Sequence, residues 1–238
     1  MAKVIAINQS NYIPWRGYFD IFRSVDEFIL FDDAQFTKGD WRNRNRIKTP
    51  AGLKWLTIPV EGKGKFPQKI RDTRISDRHW GRKHWKSLHT NYSKADYFKD
   101  YREPFEELYL NCNEKFLSQV NFRFLQTINN ILGIGTQLSW SSDFELPPGK
   151  NQRLIAICKQ AEAGKILLGP AAQVYVDESL FQREGIEVEW MDYSGYPEYQ
   201  QLYPPFEHTV SILDLIFNEG PNAKDFMKSF EFPSCACP

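Results

Sequence analysis

The chain has 238 residues, 42% of them hydrophobic and 25% charged, and a formal net charge of zero, values that are typical of a globular protein and exclude wholesale disorder. No apolar run reaches about eighteen residues and the start lacks signal-peptide architecture, so neither a membrane span nor secretion is expected. Four cysteines are too few for a disulfide framework in a chain of this size, and together these features predict a cytoplasmic protein.

The first elements are typical of a parallel α/β unit. Residues 4–7 form a short apolar run that predicts a buried strand, residues 15–24 have helical spacing, and residues 27–31 predict a second strand. This order predicts two parallel strands joined by a helix. Residues 44–49 and 53–60 flank the turn-forming Pro50-Ala51-Gly52 and predict a hairpin, and residues 69–75 predict a further strand.

Helical and strand patterns alternate in the rest of the chain. Apolar residues at three-to-four spacing predict helices at 79–92, 97–110, 114–132, 151–162, 178–184 and 211–218, with a short helix ending near 230. Strands are predicted at 137–141, 165–168 and 186–190. The sequence therefore predicts one α/β domain over residues 1–232, with a mixed sheet begun by the strand-loop-helix-strand unit and a helical insert in its middle. Residues 233–238 are expected to form a flexible tail.

The net charge of zero conceals an uneven distribution. Residues 1–100 hold 20 Lys/Arg against 11 Asp/Glu and five of the seven tryptophans, whereas residues 101–238 hold 10 Lys/Arg against 19 Asp/Glu. A basic half interleaved with flat aromatic rings suits a phosphate, a nucleotide, a phosphorylated sugar or a nucleic acid. Alternatively, the basic and acidic halves attract each other within the molecule or across a dimer contact.

Motifs of the common cofactor sites are missing. The sequence has no Walker motif, no Rossmann glycine motif after a strand and no Gly-x-Ser-x-Gly elbow, and its four histidines lack metal-ligand spacing with cysteine. Cys235 and Cys237 are adjacent to the end of the chain, where a frayed tail is more common than a metal site. No metal is therefore predicted, and the cofactor remains open.

The segment after the second predicted strand carries the strongest signal of a site. Asp32 and Asp33 lie where that strand ends, the edge at which open α/β sheets bind ligands. One carboxyl group of such a pair tends to have a raised pKa, which favours a general base. Candidates to clamp, stack on or orient an anionic substrate follow: Gln35, Lys38, Trp41, Arg42, Asn43 and Arg44. Alternatively, the aspartates cap a loop and the arginines form a solvated face.

A second polar and aromatic loop follows the first predicted strand and opens a helix, where backbone N–H groups can face an anion. Its candidate substrate-binding residues are Gln9, Asn11, Tyr12, Trp15 and Tyr18. Alternatively, this is an ordinary polar loop whose aromatic rings pack in the core. Loops that follow neighbouring parallel strands converge at one edge, which favours a shared site for both segments.

Two further pairs are candidates. Lys83 and His84 lie on a predicted helix and could reach the same edge as a phosphate contact and an acid or base, although a surface histidine on such a helix is more common. Lys150 and Arg153 open another predicted helix. Positive charge is unfavourable at a helix N-terminus without a partner, so this pair indicates a second anion.

Several motifs resemble the WbqC-like protein family, and they follow the family's order over nearly the whole chain. They are Gln9-x-x-Tyr12-x-Pro14-Trp15-x-Gly17-Tyr18-Phe19, Phe31-Asp32-Asp33-x-Gln35-Phe36, Trp41-Arg42-Asn43-Arg44, Trp55-Leu56-Thr57-Ile58-Pro59-Val60, Leu168-Gly169-Pro170 with Tyr175, Tyr199-Gln200 and Ser211–Asn218 with Gly220. Phe36 stands where the family pattern has tyrosine, and Pro170 where it has a small residue.

The resemblance implies a bacterial protein associated with surface-polysaccharide (O-antigen) biosynthesis. It further implies transfer of glycine or a similar acyl group to the amine of a nucleotide-linked sugar, an anionic substrate that suits the basic aromatic half. Two other functions fit the same residues. One is an enzyme that takes its acyl group from a charged tRNA, and the other is a binding or assembly module without catalysis.

Overall fold

The computed structural model describes residues 2–62 and 67–230, in which a five-stranded parallel sheet carries helices on both faces. The strands of this part of the chain are β1 (Lys3–Asn8), β2 (Glu27–Leu30), β3 (Arg44–Thr49), β4 (Gly52–Thr57), β5 (Gln137–Trp140), β6 (Ala163–Leu168) and β7 (Glu187–Trp190). The α-helices are α1 (Arg16–Arg23), α2 (Trp80–Tyr92), α3 (Phe98–Leu110), α4 (Leu117–Leu132), α5 (Lys150–Gln160), α6 (Glu178–Arg183) and α7 (Ile212–Glu219). The predicted α/β class is confirmed.

The strand order in the large sheet is β5-β2-β1-β6-β7, with every neighbouring pair parallel. The pairing of β1 with β2, which the sequence predicts, is confirmed, and Ala6 lies opposite Phe28. The chain moves outward from β1 to β2 and β5, and then returns to the other side of β1 to add β6 and β7. The order therefore reverses between β1 and β6, and this is the topological switch point at which such sheets bind ligands.

Successive side chains of the sheet enter two separate cores. Ile5 and Ile7 of β1 pack with Leu154 of α5 and Phe181 of α6 on one face, whereas Ala6 belongs to the larger core on the other face. That larger core includes side chains from α1, the helices of the insert and α7. Burial on both faces explains why the first strand is a continuous apolar run rather than an alternating one.

The predicted hairpin is confirmed as β3 and β4, which pair in antiparallel register around Pro50 and Ala51. It forms its own two-stranded sheet, and α2, α3 and α4 follow it as the predicted helical insert. Gly133, with a φ of 67°, ends α4.

The predicted strand at 69–75 is wrong. Its centre is a 3-10 helix, Ile70–Asp72, flanked by isolated bridges from Lys69 to Gln35, from Arg74 to Phe116 and from Ile75 to Val60. The backbone N–H groups of Ile70 and Arg71 donate to Ala34 and Asp32, in the loop that follows β2. The segment thus pairs with a loop instead of a strand, and this brings its basic side chains to Asp33.

Three expectations fall on residues outside the described ranges or concern the chain as a whole. The sequence predicts a flexible basic loop at Gly62-Lys63-Gly64-Lys65, but Lys63 and Lys65 lie outside the described residues, as does the tail with Cys235 and Cys237. The single-domain division over 1–232 stays a prediction. Within residues 2–62 and 67–230, no helix has the length and apolar character needed to cross a membrane.

Gly220, in the motif near the end of the chain, provides a test of the fold. Its φ is 52°, and an added Cβ would lie 2.4 Å from the ring of Tyr97, whereas Gly185 has a φ of 72° and open space around it. We expect Gly220→Ala to lower the free energy of unfolding by roughly 2–4 kcal/mol, because backbone strain and steric overlap add. Gly185→Ala should cost only about 1 kcal/mol. Urea unfolding of both variants measures the difference, and equal losses would contradict the Tyr97 contact.

Candidate functional site

A pocket of about 710 Å³ lies at the carboxyl edge of the sheet, beside the switch point. Asn8 at the end of β1, and Leu168 and Gly169 at the end of β6, contribute to its wall, and Phe31 follows β2. The volume lies within the range of roughly 300–1,000 Å³ that is usual for small-molecule sites. Both its place in the fold and its size are therefore those of a ligand site.

The lining of this pocket is basic. Arg42, Lys150 and Arg153 contribute to the wall, and no Asp or Glu is found among the described residues that line it. The side-chain amides of Gln9 and Gln35 also line it and have no hydrogen-bond partner among the described residues. The structure thus brings Lys150 and Arg153, for which the sequence suggests a second anion, into the same pocket as Arg42.

The start of α5 adds to the positive character of the pocket. Lys150 is the first residue of the helix, Arg153 lies in its first turn, and that turn has no acidic residue. Arg153 Nε donates to Pro147 O at 3.1 Å, and its terminal nitrogens have no partner in the described part of the chain. The Lys150 ammonium lies 5.3 Å from the ring centroid of Tyr175, which also lines the pocket. Cations at the positive end of a helix dipole are unfavourable unless an anion lies between them.

Arg42 is held by the loop that follows β1. Its Nη1 donates to Asn11 Oδ1, and its Nη2 lies 3.4 Å from Asp40 Oδ2. Asn11, a candidate to bind substrate, does not line the pocket and instead orients the arginine. The described residues give the guanidinium no other partner, so its remaining donors are free to meet a ligand.

Asp32 joins the loops behind this pocket. Its carboxylate is 1% exposed and accepts hydrogen bonds from Ser10 N at 2.9 Å and Ser10 Oγ at 2.7 Å. Asn121 Nδ2 in turn donates to Ser10 Oγ and to the backbone carbonyl of Arg42. Burial raises the pKa of Asp32 to about 6, although the hydrogen bonds from Ser10 oppose this rise. Asp32 is therefore a buried link between the segments that carry Gln9 and Arg42, and it does not line the pocket.

Asp33 has different partners. It contacts Lys69 Nζ at 2.7 Å, Arg71 Nη1 at 3.1 Å and Ser141 Oγ at 3.0 Å. Burial alone would raise the pKa of Asp33, but the hydrogen bonds from Lys69 and Ser141 and the charge of Arg71 outweigh it, and the pKa is lowered. The two adjacent carboxyl groups thus differ in pKa, and each has a structural explanation.

Tyr12 and His84 lie in the core rather than at the pocket. Tyr12 Oη lies 2.9 Å from His84 Nδ1 and 2.7 Å from Tyr109 Oη, and His84 Nε2 lies 3.2 Å from the carbonyl of Thr57. Since a carbonyl only accepts, we assign the ring proton to Nε2, so Nδ1 accepts from Tyr12. Burial lowers the pKa of His84 to about 4, and the imidazole is therefore neutral at pH 7.

Two other aromatic candidates, Tyr18 and Trp15, do not line the pocket but contact residues that do. Tyr18 Oη donates to the backbone carbonyl of Gln9 at 2.7 Å and so fixes the residue whose amide lines the pocket. Trp15 lies 5.1 Å from Tyr193, ring centroid to ring centroid, and Tyr193 lines the pocket. Their role in this structure is to position lining residues.

The remaining candidates are distributed elsewhere. Lys38 is exposed, Asn43 Nδ2 donates to Ile58 O at 2.8 Å, and Lys83 forms an exposed ion pair with Asp77 at 2.6 Å. Trp41 and Arg44 lie on the outer side of the hairpin, next to Trp55. None of these residues lines the pocket.

Some residues that line the pocket are not among the candidate site residues named from the sequence. Tyr175, Tyr193 and the turn at Gly169 and Pro170 come from the part of the chain that follows β6. Gly169-Pro170 directly after an apolar run is a signal of a strand that ends at the ligand edge. Using that signal requires knowing that β6 lies beside β1, which depends on pairing between distant segments.

These features define a parallel α/β protein with a basic pocket at the switch point of its sheet. The chain belongs to the WbqC-like protein family, whose model matches residues 9–226, and the resemblance seen in the motifs is confirmed. It is 51% identical over 226 residues to the uncharacterized protein Rv1507c of Mycobacterium tuberculosis. The aligned residues cover 95% of this chain and 98% of that protein. No solved structure matches the chain.

The raised pKa of Asp32 predicts a distinct pH dependence of stability. Because the folded protein holds this proton more tightly than the unfolded chain, ionisation of Asp32 lowers the free energy of unfolding as the pH rises from about 4 to about 6. The loss is on the order of 2–3 kcal/mol. Asp32→Asn lacks this ionisation, so its free energy of unfolding should rise relative to that of the wild type between about pH 4 and 6. Urea unfolding at several pH values measures the difference.

Asp33→Asn is the matched control for this measurement. The pKa of Asp33 is lowered, so its ionised form stabilises the fold, and this stabilisation is lost as the pH falls through the folded-state pKa. The variant should therefore lose ground to the wild type as the pH rises toward about 4, the ordinary range of an aspartate, and should change little relative to it above that pH. The same pH trend in both variants would contradict the assignment of the two carboxyl groups.

Proposed function

We propose that the pocket binds a nucleotide-linked sugar and that the protein is a transferase that modifies it. The observation that carries this proposal is the local charge. Within the described residues, three cations and no carboxylate line the pocket at the switch point. A diphosphate group offers the compact negative charge that such a set of side chains can neutralise.

The rest of the lining suits the other parts of such a molecule. Phe31, Tyr175 and Tyr193 offer ring surface for a base or a sugar, and the amides of Gln9 and Gln35 can both donate to and accept from hydroxyl or acetamido groups. A few oriented polar groups within a largely apolar wall are the usual means of small-molecule specificity. The pocket thus has parts that match a phosphate group, a ring and a polar sugar.

The proposed chemistry is transfer of a glycyl or similar acyl group to the amine of the sugar. Its support is the membership of the WbqC-like family, which we associate with O-antigen biosynthesis. In this step the amine nitrogen forms an amide bond, the bond to the leaving group of the acyl donor breaks, and the amine proton passes to that leaving group. Burial raises the pKa of Tyr193 to about 12, so this phenol is no ready base at neutral pH. We assign the lining residues to binding and orienting the substrate.

The arginines of the pocket provide the first test. Arg42→Lys and Arg153→Lys each keep the charge but lose the planar guanidinium. The binding free energy of the nucleotide-linked sugar that binds the wild type most tightly should therefore weaken by about 1–3 kcal/mol. Arg44→Lys is the matched control, since Arg44 lies only two residues after Arg42, at the start of β3, but does not line the pocket. Isothermal titration calorimetry measures all three variants. Equal affinity of Arg42→Lys, Arg153→Lys and wild type would contradict the pocket as the site.

Turnover separates the transferase from its two rivals. We expect a nucleotide-linked amino sugar to gain an acyl group when incubated with the protein and activated glycine donors, as measured by mass spectrometry of the small-molecule pool. Reaction with charged tRNA alone would favour the tRNA-dependent enzyme. Binding without turnover for any donor would favour the module without catalysis.

A further inference from the structure

The outer side of the hairpin is a separate surface, which we call the hairpin surface: Trp41, Arg44, Arg46, Leu53 and Trp55. Asn45, Ile47 and Leu56 alternate with these residues and are buried against the core. Because side chains alternate along a strand, Arg44, Arg46, Leu53 and Trp55 share the opposite face. None of the five lines the pocket, although Trp41 directly precedes Arg42.

Two tryptophans on this surface are close to each other and open to solvent. Trp41 is 38% exposed, Trp55 and Leu53 are each 41% exposed, and the two indole centroids are 5.3 Å apart with their planes at 41°. Exposed large apolar side chains grouped in one patch mark interaction sites more often than scattered ones do. The patch is therefore suited to bind a partner with flat or apolar groups.

The two arginines give the surface its charge. The Arg44 guanidinium lies 4.1 Å from the Trp55 ring centroid, and that of Arg46 lies 5.5 Å from Trp55 and 5.7 Å from Trp41. In the described part of the chain, Arg44 has no ion pair or hydrogen-bond partner, and Arg46 donates only to Thr209 Oγ1. Nε of both arginines is buried, and the charge of Arg46 lowers the pKa of Glu207, so the terminal nitrogens of Arg44 are the donors most available to an anion.

Cross-strand packing explains only part of this arrangement. Arg46 lies directly opposite Trp55, and such a pair stabilises a hairpin. It does not explain why the described residues give Arg44, which packs on the Trp55 ring, no anionic partner. Nor does it explain the exposed ring of Trp41, which precedes β3. A neutral glycan would use the tryptophans but leave the arginines unpaired, and an acidic peptide would use the arginines but not two stacking faces.

We propose that the hairpin surface binds a single-stranded stretch of RNA. Bases stack on Trp41 and Trp55, and phosphate groups meet Arg44 and Arg46. Aromatic rings beside cations along one groove or face are the combination by which proteins bind single strands without reading their sequence. Stacking and phosphate contacts are both required to account for the residues present.

The test is fluorescence anisotropy with a labelled single-stranded oligoribonucleotide of about twelve nucleotides, a length within known site sizes. Arg44→Gln and Trp41→Ala should each weaken binding at least fivefold at low salt. Arg44→Gln should also reduce the slope of log affinity against log salt by about 0.7, the value for one phosphate contact on a single strand. Arg44→Lys should keep that slope.

Lys54→Gln is the matched control. It removes the same charge from β4, but Lys54 lies opposite the buried Ile47 and alternates with the residues of the hairpin surface. Its effect on RNA affinity should be less than twofold. Nucleotide-linked sugars should bind Arg44→Gln and Trp41→Ala as they bind the wild type, which shows that the variants fold and separates this test from that of the pocket.

Three outcomes would overturn the proposal. One is equal RNA affinity and salt slope in wild type, Arg44→Gln and Trp41→Ala. Another is displacement of the RNA by excess nucleotide-linked sugar, which would place the RNA in the pocket. The third is binding of a neutral oligosaccharide, lost in Trp41→Ala but kept in Arg44→Gln, with no binding of the oligoribonucleotide.

Discussion

The buried carboxylate of Asp32 holds together the segments from which the pocket is built. It follows β2, yet it accepts both donors of Ser10 in the loop after β1, and Asn121 of α4 extends the network to the carbonyl of Arg42. One group thus fixes the two loops at the carboxyl edge against the helical insert. Burial of the ionised carboxylate is unfavourable and raises the pKa of Asp32. Without Asp32, however, the buried N–H of Ser10 would have no acceptor, which is also unfavourable.

The order of the parallel strands decides which side chains meet. Because β6 returns to the free side of β1, the loop that begins α5 and the loop that follows β1 border the same crevice. Lys150 and Arg153 therefore lie in the pocket with Arg42, more than a hundred residues away in sequence. Core packing on both faces of the sheet leaves this edge as the place where backbone and polar side chains remain open to a ligand.

The sequence predicts the elements well because each carries a local signal, such as the apolar run of β1 or the Pro50-Ala51-Gly52 turn. It also predicts that two polar loops converge, since neighbouring parallel strands end at one edge. It cannot predict the direction of individual side chains. Arg42 lines the pocket and Arg44 lies outside it, and Tyr12 and His84 satisfy each other within the core. The strand predicted at 69–75 does not form because this segment donates backbone hydrogen bonds to the loop after β2, and its cations pair with Asp33 of that loop. These are long-range interactions that no local pattern shows.

The uneven charge along the chain illustrates the same limit. Every ion pair among the described residues joins two residues of the same half, so no such pair supports direct attraction between a basic and an acidic half. The pocket takes Arg42 from the basic half but Lys150 and Arg153 from the acidic half. Charge summed over sequence therefore does not locate the site, whereas charge summed over the lining of one cavity does. Lys150 and Arg153 lie in the first turn of α5 and share the pocket with Arg42, and no acidic residue lines it among the described residues. Cations placed so repel one another until an anion lies among them, and this local imbalance is the physical reason to regard the pocket as a binding site.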